Sequence, residues 1–314
     1  MRPVVTRAAA IKPDHGAVLI NALVIVLVIS AITAALLTRA ETARLRGAAG
    51  QGSAQLALYL DGIEGLLPSL LKEPLTEGNA NLGQTWAGRD FSYEIDRGSV
   101  TARLSDMQGR LNVNWLMAPD DAWVADSFAG LFSELGVPQS LLLAITEYVR
   151  PNGPRSVNAY LARSPPVAPK GGPLRLLAEL RLVEGMTEDY FAELAPYLTA
   201  LPVEARLNLN TAAKPVLRAV LAPFPSEVIS ETLARGADDP LQAMSEFRNR
   251  VIEILQTEDL GDLPVDRLHV SSTWFQAALT ATLGDRSRVR QVVLFHDPAE
   301  AAGTQVKYRW TEYD

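Results

Sequence analysis

The chain contains no cysteine and only three histidines among its 314 residues. A chain without cysteine has no disulfide, no thiol nucleophile and no thiolate ligand for a metal. His15 precedes a long apolar segment, so a site built from several histidines would have only His269 and His296 to draw on. The composition therefore excludes a disulfide scaffold and offers little material for zinc binding or histidine-based catalysis.

The sequence also lacks the short motifs that mark common enzymes. It contains no phosphate-binding loop G-x-x-x-x-G-K-[ST], no dinucleotide fingerprint G-x-G-x-x-G, no nucleophile elbow G-x-S-x-G and no zinc motif H-E-x-x-H. Acidic pairs such as Asp120-Asp121 and Asp238-Asp239 precede predicted helices or turns, where carboxylates commonly cap free N–H groups. We therefore predict that the protein is not an enzyme.

An excess of basic residues is absent as well, since the formal net charge is −7. Nucleic-acid binders usually carry a basic face, so we predict no nucleic-acid partner. Residues 207–234 nevertheless resemble a helix-hairpin-helix, a motif that offers glycine-rich backbone to DNA phosphates. The hairpin here reads APFPSE, without glycine. The missing glycines weaken this resemblance. A membrane-anchored helix-hairpin-helix DNA-binding protein remains the alternative function.

One long uncharged stretch is present, residues 17–37, which read AVLINALVIVLVISAITAALL. As a helix rising about 1.5 Å per residue it spans about 30 Å, the thickness of a bilayer's hydrocarbon core. The apolar region of a secretory signal is shorter, about 7 to 15 residues, and no convincing small-x-small cleavage site ends this one. We predict a transmembrane helix; an ordinary signal peptide and a buried soluble helix are the alternatives.

Beyond residue 37, the hydrophobic periodicity predicts an α+β fold. Apolar residues at helical spacing, from Leu56 to Leu70, extend the N-terminal helix onto a soluble domain. The alternating stretch FSYEIDRGSVTARLSDM predicts a hairpin that turns at Arg97-Gly98. Residues 118–201 and 213–256 predict helices interrupted by a proline-rich loop at 151–173. The final stretches WFQAALTATL, RVRQVVLFH and QVKYRWTEY predict an antiparallel meander.

The sequence repeats itself once, as RLNVN at residues 110–114 and RLNLN at residues 206–210. The residues that follow the two copies differ, so the repeat does not indicate a long duplication. We predict two short extended segments that pair at the base of a helical insertion. Their asparagine side chains are expected to bond to nearby backbone.

Several of these segments together resemble one family. The segment from Gly16 onward is similar to a type IV prepilin N-terminus, and SDMQGRLNVN resembles a D-x-Q-G-R-x-N-x-N segment. Residues 177–202, the following LNLNTAAKPVL, and HVSSTWFQAALTATLGD resemble further stretches of the minor pseudopilin K family of type II secretion systems. The resemblance implies an α+β fold, with a pilin-like long N-terminal helix packed on an antiparallel sheet and a large α-helical inserted domain.

The resemblance and the periodicity divide the chain into six parts. They are a prepilin leader at residues 1–16, a transmembrane helix at 17–37, the pilin-like helix and first strands at 38–117, the first part of the helical insertion at 118–204, a strand and second helical part at 205–265, and C-terminal antiparallel strands at 266–314.

The resemblance implies a minor pseudopilin at the tip of the pseudopilus. Such a protein starts pseudopilus assembly in a heterotrimeric complex with other minor pseudopilins, for export of folded proteins across the outer membrane. Its single helix lies in the bacterial inner membrane and its soluble domain in the periplasm. The other implied partners are the prepilin peptidase and the inner-membrane assembly platform.

The resemblance also assigns roles near the N-terminus. The peptidase cuts after Gly16, so that Ala17 becomes the methylated first residue and Asn21 the fifth, where most pilins have glutamate. A carboxylate inside the bilayer costs on the order of 3 kcal/mol and is tolerated where it pairs with a neighbouring subunit's ammonium. A tip subunit has no such neighbour above it, which favours an uncharged Asn21. The alternative is that Asn21 is one tolerated polar residue in an apolar helix.

Some members of this family bind calcium through an acidic cluster ahead of the long loop. Here the matching residues read TEYVRPNGPRSVNAYL, with Arg150, Asn152 and Arg155 where carboxylates are expected. Calcium takes about six or more oxygen ligands, so we predict no calcium site at this position. Asp259 and Asp262, in the acidic run TEDLGDLPVD, are weak alternative ligands in what we predict to be a solvated loop.

Overall fold

The computed structural model describes residues 14–71, 78–118, 120–261, 263–296 and 303–312. The chain divides into two compact units, residues 1–58 and 59–314. The described part of the first unit is helical throughout. The second unit contains every described strand and the described helices that follow the first.

Helix α1 spans Asp14–Glu64, and its N-terminal part exposes a continuous apolar surface. Among the described residues it is the one helix long and apolar enough to cross a membrane. Large apolar side chains between residues 18 and 37 are exposed all round the helix. The hydroxyl of Thr33 donates a hydrogen bond to the carbonyl of Ile29 at 2.8 Å, within the same helix. A surface of this kind is consistent with a membrane anchor.

After the end of α1 and the short α2, the second unit follows a strand, helix, strand order in the described residues. Its α-helices are α2 Leu67–Leu70, α3 Ala122–Glu134, α4 Gln139–Val149, α5 Val157–Leu161, α6 Glu188–Leu194, α7 Lys214–Leu221, α8 Ser226–Ala234 and α9 Met244–Leu255. Its 3₁₀ helices are Val113–Met117, Leu177–Leu182 and Val265–Arg267. Its strands are β1 Asp90–Ile95, β2 Gly98–Asp106, β3 Leu111–Asn112, β4 Leu198–Thr199, β5 Leu207–Asn208, β6 Leu268–His269, β7 Trp274–Leu283, β8 Arg286–His296 and β9 Thr304–Glu312.

Five strands form one antiparallel sheet in the order β1-β2-β7-β8-β9. Because β2 and β7 are neighbours in space, residues 107–273 are inserted between two adjacent strands. Side chains of β7 alternate as the sequence predicts, since Phe275, Ala277, Leu279 and Ala281 are buried. The predicted α+β fold, with its C-terminal meander and its helical insertion, is confirmed.

The hairpin between β1 and β2 turns one residue earlier than predicted. Ile95 pairs with Gly98, so the two loop residues are Asp96 and Arg97, and Arg97 takes a positive φ of 63°. Gly98 is the first residue of β2, where a Cβ atom would collide with the backbone carbonyl of Thr282 on β7. Glycine at position 98 therefore serves the close approach of the neighbouring strand rather than the turn itself.

The last turns of α1 are fixed to the sheet by burial and by ion pairs. Leu60 and Ile63 are buried. Arg290 on β8 pairs in register with the buried Leu279, and its guanidinium donates to Asp61 at 2.6 Å and to Glu64 at 2.8 Å. The arginine side chain is itself 10% exposed, so it reaches the helix from the core face of the sheet.

The inserted helices surround a core of their own. Its largest fully buried aromatic side chains include Phe128 and Phe132 of α3. Asp121 caps α3 by accepting the N–H of Val124 at 3.1 Å, which confirms the capping role predicted for this carboxylate. The predicted long loop at 151–173 contains one short helix, α5, which the sequence did not predict. The helix is held by the burial of Tyr160, so tertiary packing overrides the local proline signal.

Candidate functional site

The predicted processing and assembly residues lie at the start of α1. Gly16 and Ala17 have helical backbone in its first turns, and Asn21 follows one turn later. Asn21 is exposed, as are the apolar residues around it. Its amide is therefore presented on the surface of the helix, where a neighbouring helix can reach it.

A buried polar cluster lies where the insertion joins the sheet. We call it the base cluster, and it comprises Asp106, Gln108, Asn208, Thr211 and Ser272. One carboxylate oxygen of Asp106 accepts the N–H of Gln108 at 2.8 Å. The other accepts the amide of Asn208 at 3.0 Å, the hydroxyl of Ser272 at 2.6 Å and the hydroxyl of Thr211. A single side chain thus joins the end of β2 to segments more than a hundred residues away.

Gln108 connects the two ends of the insertion. Its Oε1 accepts the N–H groups of Thr273 at 2.7 Å and Trp274 at 3.0 Å, where β7 begins. Its Nε2 donates to the carbonyl of Arg206 at 2.8 Å, just before β5. Because an amide offers donors and acceptors at once, one glutamine satisfies backbone on two different segments.

Gly109 follows directly and has no room for a side chain. A Cβ atom there would lie 2.7 Å from both the carbonyl and the hydroxyl oxygen of Thr211. Contacts this short do not occur for real Cβ atoms, so position 109 requires glycine for close backbone approach. The D-x-Q-G-R motif of the sequence is therefore the motif that builds the base cluster.

The repeated RLNxN segments act in the same way. Asn114 accepts the N–H of Leu174 at 2.8 Å and donates to the carbonyl of the same residue at 3.0 Å. Asn210, its counterpart in the second copy, accepts the N–H of Leu241 at 2.9 Å and donates to the carbonyl of Leu241 at 2.9 Å. Each side-chain amide thus forms the pair of backbone hydrogen bonds that a neighbouring strand would form, and it fixes a distant loop of the insertion.

The two repeated segments do not pair with each other, so that part of the prediction is wrong. β3 pairs in parallel with β4, and β5 pairs in parallel with β6. A main-chain bond from Asn208 N–H to the carbonyl of Gln108, at 2.8 Å, brings the segments together instead. The prediction that the asparagines bond to backbone is confirmed, although most of their backbone partners are remote in sequence.

Burial and hydrogen bonding act on Asp106 in opposite directions. Burial raises the pKa of its carboxyl above the ordinary value of 3.8, and the bonds from Ser272, Thr211, Gln108 and Asn208 oppose the rise. Nearby Arg110 is half-buried, and burial lowers the pKa of its guanidinium while the charge of Asp106 opposes this. The sequence patterns do not predict a role for Asp106, Thr211 or Ser272. Only the D-x-Q-G-R spacing points to one of them, Asp106.

The residues that match the calcium-binding region of some family members do not fit a calcium ion. Arg150 closes α4, and its Nε is buried without a hydrogen-bond partner among the described residues. A guanidinium cannot ligate a cation. Asp259 is exposed and accepts the N–H of Gly261 at 3.0 Å, as in a turn, and Asp262 lies outside the described residues. No group of three or more metal-ligating side chains occurs in the part of the chain that the structure describes.

The helix-hairpin-helix resemblance corresponds to α7 and α8. The turn between them places Phe224 in the core, with its ring 5.4 Å from that of Phe247. A turn that buries an aromatic ring and contains no glycine does not present free backbone N–H groups to phosphate. The DNA-binding alternative gains no support from this geometry.

Comparison with known proteins gives one consistent result. Residues 109–203 match the family model described as type II secretion system (T2SS), protein K. The chain is 28% identical over 302 residues to type II secretion system protein K of Pseudomonas aeruginosa, which covers 88% of this chain and 87% of the relative. It is 27% identical over 313 residues to the protein K of Pectobacterium carotovorum subsp. carotovorum, with 90% and 92% covered.

A solved structure has the same fold. It comes from the GspK-GspI-GspJ complex of enterotoxigenic Escherichia coli, and the TM-score is 0.68 at 23% sequence identity. The match covers 86% of this chain and all of the solved one. The long helix, the antiparallel sheet and the inserted helices are thus one known architecture.

Proposed function

The chain is related to the type II secretion system protein K family in sequence and in fold, and from this premise we propose that it starts pseudopilus assembly from the tip. In this role it forms a heterotrimeric complex with two other minor pseudopilins in the inner membrane, its soluble domain lying in the periplasm. The assembled pseudopilus supports export of folded proteins across the outer membrane. Its role is structural, so no catalytic residue is assigned.

The observation that carries the proposal is the uncharged Asn21 on an exposed apolar helix. A shaft subunit with glutamate at this position gains an ion pair to the ammonium of the next subunit, which offsets the cost of a buried carboxylate. A subunit with nothing above it has no partner for a carboxylate. Asparagine can satisfy its amide on a neighbouring helix at small cost, so Asn21 suits the end position.

The insertion supports the same position. It adds α3 to α9 between two adjacent strands of a five-stranded sheet, with a hydrophobic core of its own. Subunits inside a repeating shaft are surrounded by copies of one another, and heterologous contacts must repeat without obstruction. A subunit with so large an insertion meets fewer constraints at an end of the assembly.

Two substitutions at position 21 separate charge from polarity. Asn21→Glu is expected to lower pseudopilus initiation, because the new carboxylate lacks an ammonium partner and must take up a proton or pair wrongly. Asn21→Leu is expected to be nearly silent, because the amide is not required. Counting pseudopili by electron microscopy and measuring secreted protein in both variants checks this. Equal pseudopilus counts and equal secretion for the two variants would contradict the idea that position 21 marks a tip subunit.

Co-purification tests the function as a whole. The full chain, solubilised in detergent after co-expression, is expected to retain the other two minor pseudopilins of its secretion system in a stable complex. The major pseudopilin of the same system is the control and is expected to be absent from the complex after gel filtration. A chain that retains neither minor pseudopilin, or retains the major one equally well, would contradict the proposed tip complex.

A further inference from the structure

A cleft of about 300 Å³ lies on the face of the sheet opposite the buried side chains of β7. Its floor is formed by side chains that share this face across β7, β8 and β9. Gln276 pairs in register with Val293, Val293 with Tyr308, and Gln291 with Trp310, so their side chains lie side by side. The volume is at the lower end of the range typical of ligand sites, about 300 to 1,000 Å³.

The wall of the cleft belongs to the insertion and is basic. It includes residues 175–178, Arg181, Phe191 of α6 and Arg110. The cleft therefore has three arginines and one carboxylate, that of Glu312, which gives a lining charge of +3 − 1 = +2. The chain as a whole carries −7, so the cleft is a basic site on an acidic protein.

The three arginines of the cleft differ in their ionic partners. Arg181 is engaged, because it bonds to Glu188 at 2.9 Å and lies 3.6 Å from the ring centroid of Phe191. For Arg110 and Arg175, the described residues provide no carboxylate in ion-pair contact. Arg110 is partly buried, and burial lowers the pKa of its guanidinium. The charge of Asp106 opposes this change but offsets it only in part.

The floor offers apolar contact beside these cations. Val293 and Met107 belong to a small buried apolar cluster, and Trp310 packs against it at the edge of the cleft. An arginine fork binds a carboxylate in two parallel hydrogen bonds, and an aromatic surface favours an apolar neighbour. The combination fits an acidic residue flanked by an apolar one better than it fits a free anion.

We propose that this cleft is a docking site for an acidic peptide segment of a partner protein. A carboxylate of the segment binds Arg110 and Arg175, and an adjacent apolar side chain packs on Val293 and Trp310. The inference goes beyond the tip function, because it assigns a binding surface and the chemistry of its partner independently of assembly in the membrane. Complementary charge at such a surface raises both the association rate and the specificity.

The probe is a short fluorescein-labelled peptide that alternates glutamate and phenylalanine, titrated against the full chain in detergent by fluorescence anisotropy. Arg110→Gln is expected to weaken binding at least about tenfold, because it removes a partly desolvated charged partner. Arg175→Gln, at an exposed position, is expected to weaken binding by about threefold and to leave folding unchanged. Arg248→Gln, an exposed arginine outside the cleft, makes the same charge change and is expected to leave binding unaltered.

Three further measurements identify which chemical groups the cleft recognises. A matched peptide with glutamine for glutamate and one with alanine for phenylalanine should both bind more weakly than the probe. Equal binding of the glutamine peptide, equal loss with Arg248→Gln, or no binding of the probe would overturn the proposal. Displacement of the probe by millimolar inorganic phosphate, with no effect of the alanine change, would show an anion site instead. If Arg110→Gln fails to fold, the Arg175→Gln result decides alone.

These outcomes are independent of the tip function. Loss of the heterotrimeric complex would leave peptide binding to the cleft unaffected, and loss of peptide binding would leave the complex intact. A negative result for the tip complex and a negative result for peptide binding can therefore be told apart.

Discussion

Asp106→Asn is expected to lower the free energy of unfolding by about 2 to 4 kcal/mol, because an amide cannot replace a carboxylate that accepts four hydrogen bonds. In either orientation the new NH₂ group faces a donor. On one side it meets the N–H of Gln108. On the other it meets the amide of Asn208 and the hydroxyls of Thr211 and Ser272. At least one buried donor is then left without an acceptor.

Urea denaturation of the detergent-solubilised chain, followed by tryptophan fluorescence, measures this loss. All five tryptophans lie between residues 86 and 310, so the signal reports on the unit that contains the base cluster. Asp126→Asn is the matched control, since Asp126 is exposed on α3 and its substitution should change stability by no more than about 0.5 kcal/mol. A similar small change for Asp106→Asn would contradict the central role of this carboxylate.

The pH dependence of the same comparison tests the balance of burial and hydrogen bonding at Asp106. Because its folded pKa is raised, the native state binds its proton more tightly than the unfolded chain does. The stability difference between the wild type and Asp106→Asn should therefore widen as pH falls from the raised pKa toward 3.8, and stay constant above the raised pKa. A difference that narrows in acid would show that the four donors outweigh burial.

Gly16→Leu is expected to block processing and abolish secretion. In the proposed function the peptidase cuts after Gly16, and a bulky side chain beside the scissile bond obstructs its approach. The sixteen-residue leader, with Arg2, Arg7 and Lys12, would then remain attached, and the free amine of Ala17 would not form. Intact-mass spectrometry of the membrane fraction and a secretion assay measure the two effects.

Gly47→Leu supplies the control for this substitution. It makes the same change on the same helix, at a position where a Cβ atom meets nothing within 4 Å. This variant should be processed and should support secretion. A Gly16→Leu protein that shows the mature mass would exclude prepilin processing.

Much of the sheet could be predicted because its signals are local. The alternation in β7 and the two stretches after it define three antiparallel strands, and the structure confirms them. The sequence pattern predicts the hairpin turn one residue late, because glycine commonly occupies turn positions. At position 98 its cause is the carbonyl of Thr282, far along the chain, which no local pattern contains.

The base cluster could not be predicted for the same reason. Asp106 bonds to Asn208, Thr211 and Ser272, and each of these partners lies more than a hundred residues away. Periodicity indicates which face of a strand is buried, but it does not indicate which buried polar groups will meet. The repeated asparagines could be predicted to bond to backbone, because that tendency is intrinsic to the residue.

The insertion between β2 and β7 has a consequence for the order of folding. The two central strands of the sheet are joined by residues 107–273, so a disordered insertion would make their pairing a long loop closure. Closure entropy grows slowly, by about 0.6 kcal/mol for each doubling of loop length, but distant contacts of this kind slow folding strongly. Once the insertion has folded and Gln108 has joined its entry to its exit, β2 and β7 are held together at one end. We therefore expect the sheet to form from that end, with the inserted helices as the folding nucleus of the domain that they interrupt.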